Sequence, residues 1–213
     1  MERFEVRTDA PKSLKMYALG SVSSGKHLFF DTLNIKFREQ DGLTKFYSNT
    51  YLYKGNQYEY MIYFISGSFK DPALLPSQRT ACDAVLLLIN PLISDIFNSV
   101  DEIIQRVAEV HPDTLIVLIM QNVFGELDSL PSEMQDIALE NGEMFCEVET
   151  NYNLKLVSLN YNLDEIQSLE SGDPMMSLKF FKMFNEAFYE ILHDIIERKT
   201  NPDLKTFIIS DDL

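Results

Sequence analysis

Apolar and polar positions along the chain fall into blocks that predict six strands with helices between them. Leu14–Leu19 reads as a short strand, closed by the segment Gly20-Ser-Val-Ser-Ser-Gly25. From Lys26 to about Phe37, the apolar residues Leu28, Phe29, Leu33 and Ile35 suit a helix. Two β-rich runs follow, Leu43–Tyr53 and Tyr58–Ile65, and Lys54-Gly55-Asn56-Gln57 between them has hairpin chemistry. Ser66–Ala81 reads as a loop with room for one turn of helix. Ala84–Asn90 and Thr114–Met120 are apolar runs of strand length, the mark of strands buried on both faces.

Ile93–Val110 places Ile96, Val100, Ile103, Ile104 and Val107 at helical spacing. Pro131–Met144 predicts a short helix that Pro131 can start and Gly142 weakens. Leu154–Leu159 is the last strand, and Ser177–Lys199 is a long amphipathic helix. Its core stripe is expected at Leu178, Phe181, Phe184, Phe188, Ile191, Leu192 and Ile195; Phe180, Met183, Ala187 and Ile196 widen it. Alternating strands and helices of this kind imply one α/β domain, a mostly parallel sheet with helices on both faces. The domain spans 14–199, after a lead-in at 1–13 and before a tail at 200–213 that carries Phe207-Ile208-Ile209.

Composition narrows the function classes. The 213 residues are 46% hydrophobic, enough for a substantial core. Lys and Arg number 18 against 33 Asp and Glu, a net charge of −15 that opposes nucleic acid and anionic membrane surfaces as partners. The charge is uneven: residues 1–106 carry 12 basic and 12 acidic side chains, residues 107–213 carry 6 and 21. A basic protein partner, meeting the acidic second half and the 177–199 helix, fits that distribution. Met1–Asp9 is charged where a secretory signal would be apolar, Glu2 excludes N-myristoylation, and Cys82 and Cys146 make no disulfide framework. The expected location is intracellular, in cytoplasm or nucleus. His27, His111 and His193 lack metal-ligand spacing, and no Ser/His/Asp set assembles, so neither a metal site nor a catalytic residue is predicted.

The most informative octapeptide is Gly20-Ser-Val-Ser-Ser-Gly25-Lys26-His27. A loop G-x-x-x-x-G-K-[S/T] between strand and helix turns its N–H groups onto phosphates; its Lys reaches the terminal phosphates and its hydroxyl ligates Mg²⁺. Both glycines and the lysine are present, but His27 cannot replace a hydroxyl on a hard octahedral cation. Asp83-Ala-Val-Leu-Leu-Leu-Ile89 adds a second landmark, and over Leu14–Lys199 the chain resembles the Ras-like small GTPases. The resemblance implies a six-stranded sheet, five helices, and a nucleotide at the carboxyl ends of the strands.

Carried over residue by residue, most of that family's chemistry is missing. Its metal-linked Asp-x-x-Gly falls on Phe64-Ile65-Ser66-Gly67, and the water-orienting position after it is Ser68. The guanine-reading Asn-Lys-x-Asp falls on Asn122-Val123-Phe124-Gly125, so only Asn122 is kept. The resemblance therefore implies vestigial phosphate and base positions at Gly20, Gly25, Lys26, His27 and Asn122. Phosphoryl transfer depends on positioning and metal electrostatics, so the expected protein is a pseudo-GTPase, inactive and acting by protein contacts within a multi-subunit complex. The alternative is an atypical small GTP-binding protein that holds GTP or GDP weakly through the 20–26 loop without normal Mg²⁺ coordination.

Overall fold

The computed structural model describes residues 12–20, 24–33, 35–41, 44–65, 82–94, 96–123, 128, 130–151 and 154–201, the side chains at 39–40 and 147–151 apart. The expected lead-in through Pro11, the 66–81 loop and the tail's Phe207-Ile208-Ile209 lie outside them.

The apolar runs become the centre of the sheet. β1 (Lys12–Gly20), β5 (Ala84–Ile89), β6 (Leu115–Asn122) and β7 (Leu154–Asn160) pair in parallel, and every residue of β5 is buried. On the other side of β1, β4 (Asn56–Ile65) is also parallel to it, while β3 (Thr44–Tyr53) runs antiparallel to β4. The 54–55 turn of this hairpin uses left-handed backbone at Lys54 (φ 48°) and Gly55 (φ 78°), as a two-residue hairpin connection requires.

Helices cover both faces, as the strand pattern required. On one face β1, β4, β5 and β6 pack against α1 (Lys26–Thr32) and α5 (Pro174–Thr200), through Phe29, Phe30, Phe184 and Phe188. On the other, α2 (Ile96–Val110) lays Ile96, Val100, Ile103, Ile104 and Val107 on the sheet, and α3 (Ser132–Asn151) adds Phe145. A short α4 (Leu163–Glu170) packs against α5.

Among the described residues the sheet has seven strands, in the order β2-β3-β4-β1-β5-β6-β7, one more than the six expected. The extra edge strand is β2 (Lys36–Asp41), at the end of the segment expected to be helical through Phe37. α1 ends at Thr32 because Leu33 turns to extended backbone, and Lys36–Asp41 then pairs antiparallel with Thr44–Ser48 across an irregularity between Phe37 and Glu39. The Phe37 ring stands edge-on to Tyr47 at 5.8 Å. α3 runs on to Asn151 through Gly142, well past the expected end. A helical glycine costs about 1 kcal/mol; against it stand buried Phe145 and the Asn141 carboxamide, which donates to the Pro91 carbonyl at 2.7 Å.

The stripe on α5 is also rotated from the expected one. Leu178 and Phe181 are exposed, whereas Phe180 and Ile196 are buried with Phe184, Phe188, Ile191, Leu192 and Ile195. The buried positions 180, 184, 188, 191/192 and 195/196 recur every three or four residues, so they fix one face; Leu178 and Phe181 lie beside it.

Candidate functional site

Strand order reverses at β1, which lies between β4 and β5, and open α/β sheets hold ligands at the carboxyl ends beside such a point. The expected loop begins there. Gly20 ends β1, and a Cβ on it would stand 2.8 Å from the Leu88 carbonyl oxygen, so glycine lets β1 finish hard against β5. Gly25, at the N-cap of α1, has φ 67° and ψ 11°, a left-handed conformation suited to glycine. A Cβ there would collide with the Gln121 side chain. Residues 21–23 lie outside the described residues, as do Gly67, Ser68, Phe124 and Gly125.

Lys26 opens α1 but points inward. Its ammonium donates to the Gly20 carbonyl at 2.6 Å and to the Ile65 carbonyl at 3.3 Å, tying the ends of β1 and β4 together. The Phe64 ring lies 5.8 Å from the same nitrogen. Burial holds the Lys26 pKa below the ordinary lysine range. His27 is exposed on the first turn, with its ring edge-on to Phe64 at 5.0 Å. Partial burial, then the nearby Lys45 and Lys26 charges against the opposing pull of Asp31, hold its imidazole below the usual range.

Asn122 lies at the end of β6, two strands from β1. Its side-chain N–H donates to the Asn160 side-chain oxygen at 2.6 Å, and its carbonyl accepts from the Tyr161 N–H at 3.1 Å. The link between Asn122 and the loop is its neighbour. Gln121 is fully buried, reaches Gly25, and accepts a hydrogen bond from the Tyr161 hydroxyl through Oε1. Its Nε2 is buried and has no hydrogen-bond partner among the described residues. Tyr161 itself packs edge-on to Phe180 at 5.2 Å, and burial drives its hydroxyl pKa far above the usual range. Sequence reasoning missed Gln121 and Tyr161. The available signal was the amide pair Gln121-Asn122 after six apolar residues, Leu115–Met120.

The structure thus gathers Gly20, Gly25, Lys26 and His27 at one corner and brings Asn122 near it only through Gln121. The donor set does not match Mg²⁺ with a nucleoside phosphate: an imidazole stands at position 27, a buried phenyl ring at 64, and the Lys26 donors are turned onto backbone carbonyls. Among the described residues no three His, Cys, Asp or Glu side chains gather as a metal site. Cys82 and Cys146 are free thiols, with Cys82 against Thr114 at 3.8 Å and its pKa raised by burial. No described helix is long and apolar enough to cross a membrane.

No protein-family model matches the chain, and no curated protein matches it in sequence.

Proposed function

We propose that the protein is a Ras-like, GTPase-shaped subunit that works through protein contacts and performs no nucleotide hydrolysis. The observation that carries this reading is Lys26, the one cation of the loop, held inward by the Gly20 and Ile65 carbonyls beside Phe64. An ammonium so engaged must break two hydrogen bonds to meet a phosphate, and no metal would help, since positions 27 and 64 carry rings. The Ras-like reading of the fold is supported by the strand-loop-helix of β1 and α1 at the reversal of strand order, with Gly20, Gly25 and Lys26 in register.

The second reading, weak nucleotide binding without normal Mg²⁺ coordination, is favoured by one feature. Gln121 Nε2 is a buried donor without a described partner beside Gly25, and such a donor is the kind of group a ligand oxygen would satisfy. Calorimetric titration with GTP, GDP and ATP, with and without Mg²⁺, on protein first extracted with acid to check for carried nucleotide, separates the readings. The scaffold reading expects no nucleotide in the extract and no saturable heat. Saturable heat that does not need Mg²⁺ supports the second reading, and tight Mg²⁺-dependent GTP binding overturns both.

A further inference from the structure

A cleft of about 470 Å³ opens at the carboxyl ends of β5, β6 and β7, where α3 and α4 begin. Its walls are Leu92, Val123, Leu130, Met134 and Leu163, with Asp164 at the rim. Met134 is 45% exposed and Leu163 63%, so two large apolar side chains stand at its mouth in solvent. The polar atoms around it are already committed to the fold. Asn90 accepts from the Leu92 N–H at 3.0 Å, and the Asn162 side chain caps α4 by accepting from the Glu165 N–H at 2.9 Å. Asn141 fastens α3 to the Pro91 and Ile93 carbonyls, which fixes the separation of the walls. The cleft is built by the fold and mostly apolar, and it shares none of its lining residues with Gly20, Gly25 or Lys26.

The two helices that begin at the cleft carry one sign of charge. α3 carries six carboxylates and α4 three, and neither helix carries a single Lys or Arg. Glu133, Asp136, Glu140, Glu143 and Asp164 are exposed, and no ion pair among the described residues reaches them. Glu165 is engaged by Lys179 of α5. The two helix amino termini facing the cleft offset only about half a charge each.

We propose that this cleft docks a basic amphipathic segment of a partner protein. Large apolar side chains of that segment seat against Leu92, Val123, Leu130, Met134 and Leu163, and its Lys or Arg residues face Asp164 and the α3 carboxylates. The proposal rests on the protein-contact reading above and gives it a site and a partner chemistry. A second copy of the chain is disfavoured, since a twofold contact would set carboxylates against carboxylates. The chain's own 202–213 segment has the same defect, with Asp203, Asp211 and Asp212 against Lys205.

The test is a selection of random sixteen-residue peptides displayed on phage against the full chain, with the Leu163→Asp/Met134→Asp double variant as counter-selection. Both positions are exposed, so the variant should keep the wild-type circular dichroism and melting temperature. Enriched peptides are expected to combine large apolar residues with Lys and Arg. Their synthetic versions should bind the double variant at least about tenfold more weakly. They should also weaken steeply as salt is raised, and lose affinity for an Asp164→Lys/Glu133→Lys variant that leaves the apolar walls intact. Acidic or uncharged consensus peptides, or none that distinguishes wild type from variant, overturn the proposal. So does a concentration-dependent dimer that the double variant abolishes, because it makes a second copy the occupant. The nucleotide titrations on the same protein report separately on the scaffold reading, so the two failures are distinguishable.

Discussion

Lys26 and Gly25 show how far residue identity alone can carry an interpretation. In the sequence, Gly25-Lys26 suggests a phosphate loop; in the fold, Gly25 is left-handed at the N-cap of α1, and the lysine turns back onto two carbonyls. Its role is then structural. Lys26→Ala removes a buried donor from the Gly20 and Ile65 carbonyls, and acceptors left unsatisfied typically cost about 1–3 kcal/mol. Urea denaturation should show a loss in that range, with Lys26→Met losing less because it keeps the packing of the aliphatic stem. A lysine pointing into solvent would cost under about 0.5 kcal/mol, and that result would remove the structural role. The inward direction was not legible in the sequence. It depends on Ile65, thirty-nine residues away, ending β4 beside β1.

At the scale of elements, long periodic or wholly apolar segments read directly. α2 places its five predicted residues on the core, and β5 and β6 are the buried strands their composition requires. Two short elements, β2 and α4, did not read. β2 has no apolar face of its own and exists through pairing with β3, while α4 is eight residues long and buries no residue fully. A local signal for α4 was present: Asn162-Leu-Asp-Glu165 is a capping box, and the structure contains both of its hydrogen bonds. Asn162→Ala should therefore destabilise the protein by about 0.5–2 kcal/mol, and Asn162→Asp, which keeps the acceptor, by much less. Hydrogen exchange should place the added opening in α4. Glu165 also titrates from this structure. The Lys179 hydrogen bond, opposed by partial burial and assisted by the Asn162 N–H, holds its carboxyl below the usual range. A depressed carboxylate pKa stabilises the fold above the ordinary glutamate range, and that share is lost as pH falls through the folded-state value.

Over the whole molecule, the net charge of −15 becomes a question of placement. Part of the anionic second half is internal wiring: Lys155 of β7 pairs with Glu190 at 2.7 Å and Asp194 at 2.5 Å, and Glu197 accepts from Tyr53 at 2.6 Å and Lys54 at 2.9 Å. Those carboxylates tie α5 to the sheet. Glu133, Asp136, Glu140 and Glu143 of α3 and Asp164 of α4 are different: they are exposed, and Asp164 lines the apolar cleft. Uncompensated charge of one sign opposes compaction. Scanning calorimetry should accordingly find that moderate NaCl raises the melting temperature by screening the repulsion. A fall would mean that the exposed ion pairs outweigh it.

The sequence by itself determined the class of the fold, the central strands, the helix that ends at Val110 and the glycines that close β1 and cap α1. Each depends on burial periodicity or on backbone requirements encoded within a few residues. Only the tertiary structure decided the seventh strand, the face α5 buries, the direction of Lys26 and the cleft between α3 and α4. Each of these depends on groups far apart in the chain meeting across the sheet, where partners settle what local preference leaves open.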